Sequence, residues 1–350
     1  MPHKKKQKHL LILRFSAMGD VAMTVPVIRA LVQQYPGVKV TVASRGSYRA
    51  FFEGLPHVNF YETDFERHHK GFFGLWKLFK ELRNLHIYAV ADLHNVMRSK
   101  VITKLFAFKG KKTATTDKLR KERALLTAPS NKVFKPLPQV TLRHADVLAQ
   151  LGFPIDINKV DFPAKQPLSD DVIAVTGTKT GRWIGIAPFA QHRGKVYPED
   201  LMVEVINTLA DKPNTKIFLF GGGKSESKTL RKYAKGNPNI VVIAGGLFIL
   251  RQELKLISHL DLMISMDSAN AHMAAMQGVK VVTLWGATHP YAGFSPFRQP
   301  LSNALVSDRE QFPMLPTSIY GNKVVPGYED AMRTITPAVV AAKVEEVLLQ

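Results

Sequence analysis

Short apolar runs alternate along the chain with segments of helical period. The opening stretch "LLILRFSAMGDVAMTVPVIRAL", residues 10–31, reads as a buried strand, a loop and a helix. Pro26 falls inside that helix and is expected to kink it or to lie at a tight crossing. Further strands follow at "VKVTVAS", "VNFYET" and "IYAVADL", with an amphipathic stretch around "GLWKLFKELRNL" among them. The helical "QVTLRHADVLAQLGF" closes this half. Residues 154–180 break the periodicity with prolines, acidic residues and Gly177, which marks a domain junction. Beyond it, "WIGIAPFAQHRGKVYPEDLMVEVINTL" repeats the order strand, loop, helix. "KIFLFGG", "IVVIAGG", "LDLMISM" and "VKVVTLWG" are then almost continuously apolar, as strands covered on both faces are. A last helix, "TPAVVAAKVEEVLL", begins with Thr-Pro, suited to a cap and first turn. Strands alternating with helices imply βαβ units and largely parallel sheets, so the fold class is α/β with two Rossmann-like halves facing one another. The domains are expected at residues 1–165 and 166–335, with 336–350 as a helix packing back on the first.

In such sheets ligands bind outside the carboxyl ends of the strands. That rule singles out the loops at residues 16–20, 188–195, 221–226, 245–248, 267–272 and 286–290. Asp20 follows Gly19 at a helix start, where a carboxylate either caps free N–H groups or serves as a general base. Ser16 and Gly19 beside it let a substrate approach the backbone closely. "MDSANAHMAA" delivers Asp267 and Ser268 to the start of a small-residue helix. They are a capping pair, or, with His272 and the first-turn N–H groups, part of a phosphate site. In "PFAQHRGKVYP", Arg193 and Lys195 either point into solvent or clamp a diphosphate. Glu226, after "FGGGKSE", is placed to accept hydrogen bonds from a ribose.

Composition narrows the class. The 350 residues contain no cysteine, which excludes disulfides, thiolate metal sites and cysteine nucleophiles and suits a reducing compartment. The net charge is +20, and residues 1–150 hold 27 Lys and Arg against 10 Asp and Glu. Such a field draws a polyanion or an anionic surface to the first half. The start "MPHKKKQKHLLILRF" reads as a basic tail before a core strand, since Arg14 interrupts the apolar run too early for a signal peptide. No segment approaches the roughly 20 apolar residues of a membrane span, and the protein is expected in the cytoplasm. There is no D-x-D motif, so a departing phosphate must be met by Lys, Arg and helix N-termini. His68 and His69 in "ETDFERHHK" are expected in solvent, and "FGGGK" lacks the rest of a P-loop. "FGLWKLF" is either core or a lipid contact. The basic stretch 109–123 is a solvated loop or, with Lys4, Lys5, Lys6 and Lys8, a contact for an anionic membrane. It lacks the aromatics of a single-strand nucleic-acid platform, and no nucleic-acid partner is expected.

"ILRFSAMGDVAMTVPVIRAL", "ADLHNVMRSK", "IAPFAQHRGKVYP" and "MDSANAHMAAMQGVKVVTLWGATHP" occur in the order seen in the bacterial lipopolysaccharide heptosyltransferases, glycosyltransferase family 9. The chain resembles that family over residues 8–295 and the closing helix. The resemblance implies a GT-B fold, two Rossmann-like domains across a cleft. It also implies inverting, metal-independent transfer from a nucleotide sugar, ADP-heptose above all, to the inner core of lipopolysaccharide. Asp20 matches the family's base and Lys195 its diphosphate-neutralising lysine. Glu226 matches the ribose-binding acid, Phe248 the residue against adenine, Asp267 the acid near the donor sugar and His272 the residue at the diphosphate. Gln191, Arg193, Ser268 and Ala269 complete the donor side. Arg98 and Ser99 match an acceptor-side pair, joined there by Ser16, Met18, Gly19, Lys111, Lys112 and Arg120. Ala269 stands where relatives have Gly, and "FAQ" at 189–191 where they have small, hydroxylated residues; both bear on donor choice. The expected partners are a nucleotide sugar and an anionic glycolipid, with a monomer touching the inner face of the inner membrane and no cofactor. The alternatives are a related enzyme or epimerase using another nucleotide sugar, and a non-catalytic glycolipid-binding protein.

Overall fold

The computed structural model describes residues 7–323 and 325–350. The strands are β1 (His9–Leu13), β2 (Lys39–Ser44), β3 (Val58–Glu62), β4 (Ala89–Asp92), β5 (Lys112–Thr115), β6 (Arg182–Ala187), β7 (Thr215–Phe220), β8 (Ile240–Ile243), β9 (Leu262–Met266), β10 (Lys280–Trp285) and β11 (Ala304–Val306). The helices are α1 (Met18–Ala22), α2 (Thr24–Gln34), α3 (Gly71–Arg83), α4 (Met97–Phe108), α5 (Arg120–Leu126), α6 (Val140–Gln150), α7 (Asp170–Thr176), α8 (Glu199–Ala210), α9 (Lys224–Tyr233), α10 (Leu250–Ser258), α11 (Ala269–Ala275) and α12 (Pro337–Leu349).

Two compact units divide the chain. Unit 1 runs to residue 118 and takes in 140–161; unit 2 comprises 119–139 and 162–350. In unit 1 five strands lie in the order β3-β2-β1-β4-β5, and in unit 2 six lie in the order β11-β10-β9-β6-β7-β8. Every pairing is parallel. Helices must then cover both faces, which is why β1, β4 and β9 are buried at every position. The core of unit 1 joins Leu11, Leu13 and Val90 of the sheet to Leu75, Leu78, Phe79 and Leu82 of α3 and Phe106 of α4.

Several expectations change. The division falls after residue 161 rather than 165. Residues 119–139, expected in the first domain, belong to unit 2, because Leu137 N–H donates to Tyr291 O at 2.8 Å and Lys132 Nζ to Pro316 O at 2.9 Å. Their five cations go with them, so unit 1 holds 23 Lys and Arg against 11 Asp and Glu, and unit 2 holds 25 against 17. The excess is thus shared as +12 and +8. The closing helix α12 lies in the core of unit 2, with Val340, Val344 and Val347 among the buried residues and Lys280 Nζ donating to Val347 O. The helix is interrupted near Pro26, as expected: α1 and α2 meet at Met23, and Pro26 falls in the first turn of α2, where an absent N–H is tolerated. His69 is buried rather than solvated, its Nε2 2.9 Å from Glu81 and its Nδ1 accepting from Asp64 N–H. Part of the basic stretch is the strand β5. Lys4, Lys5 and Lys6 lie outside the described residues; Lys8 sits 5.2 Å over the rings of Tyr88 and Phe153. Among the described residues no helix is long and apolar enough to cross a membrane.

Candidate active site

Each sheet reverses its strand order once, between β1 and β4 in unit 1 and between β6 and β9 in unit 2. At such a reversal the loops leaving two neighbouring strands turn opposite ways and open a crevice at the carboxyl edge. Asp20 in unit 1 and Lys195 and Asp267 in unit 2, singled out from the sequence, lie at these points.

In unit 1 the loop after β1 carries Asp20, third residue of α1, with its side chain 29% exposed. Its Oδ2 lies 2.5 Å from Arg14 Nη2 and accepts the Ala17 N–H at 3.4 Å. The carboxylate therefore closes the first turn from within rather than capping it from outside. Arg14 is buried, and its Nη1 donates to Leu93 O, beyond β4, at 2.7 Å. Phe15 N–H crosses the same gap to His94 Nδ1 at 3.3 Å. Burial, with the charges of Arg14 and Lys118, pushes the His94 imidazole down to about 3. Burial followed by Arg14 takes His144 down to about 3 as well. Both rings are neutral at neutral pH. Below them Asp92 is wholly buried, its Oδ1 accepting from His94 N–H and Asn95 N–H and its Oδ2 from Ser99 Oγ at 3.0 Å.

The acceptor-side residues do not all assemble. Ser16, Met18 and Gly19 share the loop with Asp20, and Arg98 is exposed at the start of α4, its guanidinium 4.9 Å from the Phe65 ring centroid. Ser99 is fully buried, its hydroxyl engaged by Asp92 and by Val96 N–H, so it shapes the loop rather than presenting itself to a ligand. Lys111 and Lys112 stand at the amino end of β5, the opposite edge of a parallel sheet from Asp20. Arg120 begins α5 and belongs to unit 2.

In unit 2 the reversal brings Lys195 and Asp267 together. Lys195 Nζ is 2.7 Å from Asp267 Oδ2 and 3.2 Å from Asp267 O, and Thr288 Oγ1 donates to the same Oδ2 at 3.0 Å. The turn that carries Lys195 (Arg193–Lys195) is seated by close backbone approach: Gly194 O accepts from Ala287 N–H at 2.7 Å. A Cβ on Gly194 would meet Ala287 Cβ at 2.9 Å and Gly321 O at 3.0 Å. Gly321 has φ +76°, and a Cβ there would strike Lys195 Cγ. Ser268 occupies the N-cap position of α11 without a side-chain cap bond, its hydroxyl lying instead 3.0 Å from Ser265 Oγ; Ala269 opens the helix, and His272 is buried one turn on. Gln191 and Arg193 are exposed on the loop. Glu226 Oε2 accepts Gly222 N–H at 2.6 Å and so folds the loop after β7, which is tied to the loop after β8 by Gly245 N–H on Gly222 O. Phe248, in that second loop, is buried. Among the described residues no group of three or more His, Asp or Glu side chains is placed to hold a metal.

Arg14, Asp92, His94, Thr288, Gly194 and Gly321 were not singled out from the sequence. Arg14 alone left a signal there, a cation closing an otherwise apolar strand.

Residues 75–316 match the model of glycosyltransferase family 9 (heptosyltransferase). The lipopolysaccharide core heptosyltransferase OpsX of Haemophilus influenzae is 23% identical over 287 residues, covering 81% of this chain and 80% of that protein. Among solved structures, a glycosyl transferase family 9 protein from Veillonella parvula superposes with a TM-score of 0.73 at 18% identity, over 98% of each chain. The E. coli heptosyltransferase WaaC, solved with ADP, gives 0.66 at 18% identity, over 97% of this chain and 99% of that one. With the family match extending over most of its length, from α3 in unit 1 to beyond β11 in unit 2, the chain belongs to glycosyltransferase family 9, the heptosyltransferases, and is a transferase.

Proposed function

We propose that the protein moves heptose from ADP-heptose to the inner core of lipopolysaccharide, with inversion at the sugar carbon and without a metal. One observation carries the reading: in each unit an ion pair lies at the strand-order reversal, the part-exposed Asp20 with buried Arg14 in unit 1 and Lys195 with buried Asp267 in unit 2. The acceptor follows the named role of OpsX, and the nucleotide follows the ADP held by WaaC.

In this mechanism the acceptor oxygen attacks heptose C1 while the bond from C1 to the diphosphate oxygen breaks. Asp20 takes the hydroxyl proton, and Arg14 holds the carboxylate in the rotamer that receives it. Lys195, with Arg193 and His272, takes up the negative charge that grows on the leaving diphosphate. Lys195 is paired with Asp267 at 2.7 Å, and in this mechanism the diphosphate competes with that carboxylate for the ammonium. Asp267 and Gln191 then face the heptose, while Glu226 exchanges Gly222 N–H for the ribose hydroxyls and Phe248 lies against adenine. Ser268 and Ala269 contribute backbone N–H groups to the diphosphate. Ser16, Met18, Gly19 and Arg98 bind the acceptor. The protein acts as a monomer at the cytoplasmic face of the inner membrane.

A thermal-shift series tests the donor assignment. ADP is expected to raise the Tm at concentrations where UDP and GDP do not, by the linkage that stabilises any ligand-binding fold, and EDTA is expected to leave the shift unchanged. Equal shifts from all three nucleotides, or none, would contradict it.

A further inference from the structure

The outward face of α3 differs from its inward face in an unusual way. Leu75, Leu78, Phe79 and Leu82 point into the core of unit 1. The opposite positions begin with Phe72, Phe73 and Trp76, which are 68%, 86% and 40% exposed. They continue with Lys77, Lys80 and Arg83, all exposed. Phe72 and Phe73 touch edge to face at 6.1 Å, and Lys80 Nζ lies 5.8 Å over the Trp76 ring. The helix has one acid, Glu81, half-buried and occupied by the Tyr61 hydroxyl and His69. The exposed charge of α3 is therefore all positive.

Two neighbouring phenylalanines left in water forgo much of their hydrophobic free energy. A helix with aromatic residues at one end of its free face and cations along the rest suits the boundary between headgroups and acyl chains. A protein surface would also bury the rings, but the unbroken row of cations selects a partner whose negative charge is spread and adaptable, as anionic headgroups are. Being 13 residues long, α3 lies on a bilayer rather than through it. It follows β3, and so starts from the carboxyl edge of the sheet that carries Asp20.

We propose that α3 docks the protein on an anionic bilayer, with Phe72 and Phe73 in the acyl boundary and Lys77, Lys80 and Arg83 on the headgroups. This rests on the heptosyltransferase reading only for its purpose, presenting the edge with Asp20 to an acceptor held in the same bilayer.

The chain carries its own reporter. Of its three tryptophans, Trp183 and Trp285 are 2% and 1% exposed, so a change in emission on binding comes from Trp76. The full-length protein is mixed with vesicles of phosphatidylethanolamine and phosphatidylglycerol, or of phosphatidylcholine alone, and followed by sedimentation and fluorescence. The expected result is binding to the anionic vesicles with a blue shift, quenching by brominated acyl chains, and loss of both signals in Trp76→Phe. Phe72→Ser with Phe73→Ser, and separately Lys77→Glu with Lys80→Glu and Arg83→Glu, should each lower partitioning about tenfold or more. Both variants should keep wild-type turnover on an acceptor stripped of its acyl chains. No binding, or binding through other basic segments with Trp76 emission unchanged, or full partitioning by the double serine variant, would overturn the proposal. Vesicle binding with the Trp76 response but no turnover in the wild type would count against the enzymatic reading and leave the docking face standing.

Discussion

Arg14 closes an apolar strand, and a guanidinium buried there is tolerated only when its charge and its donors are met. Asp20 meets the charge and Leu93 O one of the donors, so residue 14 fixes residue 20 before any substrate arrives. Arg14→Met keeps the bulk and removes the charge. It is expected to lower kcat at least about tenfold through loss of carboxylate orientation and to cost roughly 1–3 kcal/mol of stability. Steady-state kinetics and urea denaturation check the two effects separately. Gly194 fixes the turn that carries Lys195 in a comparable way, by close approach rather than charge. Gly194→Ala forces the turn away from Ala287 and Gly321, and with it Lys195. The expected outcome is a fall of about 10–100-fold in kcat/KM for the donor, with a Tm loss small enough to leave the protein folded at assay temperature. The positions of Asp20 and Lys195 beyond the carboxyl ends of β1 and β6 were legible because both follow strands that the apolar runs predict. Gly194 was not, because what it must avoid comes from residues 287 and 321, far along the chain.

The loop between β4 and α4 is the element that supports Asp20. Asp92 gathers the N–H groups of His94 and Asn95 and the hydroxyl of Ser99, and Asn95 Nδ2 fastens the loop to Thr116 O at 2.7 Å. Ser99→Ala removes a donor from a buried carboxylate and is expected to cost about 1–3 kcal/mol, seen as a lower urea midpoint with an unchanged slope. The two histidines of this region give unit 1 an acid sensitivity of definite sign. Unfolded, His94 and His144 take protons near pH 6.5; folded, they resist them to about 3. Between those values the unfolded chain binds more protons, so stability falls as pH drops below 6.5 and is unaffected above it. The slope is about 1.4 kcal/mol per pH unit for each ring. Asp92, whose carboxyl is pushed up by burial, acts in the opposite direction near its own pKa. Urea midpoints between pH 7.5 and 5 should show the decline, shallower in His144→Gln. Periodicity revealed β1, β2, β3 and β4 and the helices α2, α3 and α6 of this unit, but not β5, which lies in the basic stretch read as a loop or a membrane contact. It did not reveal that His69 is buried, because the partners that satisfy it, Glu81 and Asp64 N–H, come from folding of the loop onto α3.

At the scale of the whole molecule, the order of strands placed the two clusters. Each unit puts its candidate residues, Asp20 in unit 1 and Lys195 with Asp267 in unit 2, where its sheet reverses, and the alternation of elements along the sequence was enough to foresee loops at the carboxyl edges. The assignment of 119–139 was not foreseeable from local pattern. Those residues hold to unit 2 through Tyr291, Pro316 and Tyr320 and through Arg309, whose guanidinium is 3.5 Å from the Phe134 ring centroid. This reassignment makes the charge imbalance between units milder than between sequence halves. Attraction to an anionic surface therefore depends less on net charge than on where the cations stand, as on α3. We propose above all that a carboxylate of unit 1 drives transfer of a sugar from an adenine nucleotide. Release of ADP and formation of heptosylated acceptor, measured together from ADP-heptose and a purified inner-core acceptor for the wild type and Asp20→Asn, test it most directly. The expected result is equal amounts of both products from the wild type, unaffected by EDTA, and a fall of about 10²–10⁴-fold in kcat for Asp20→Asn with ADP binding intact. Near-native turnover by Asp20→Asn, or no ADP released by the wild type, would contradict the account.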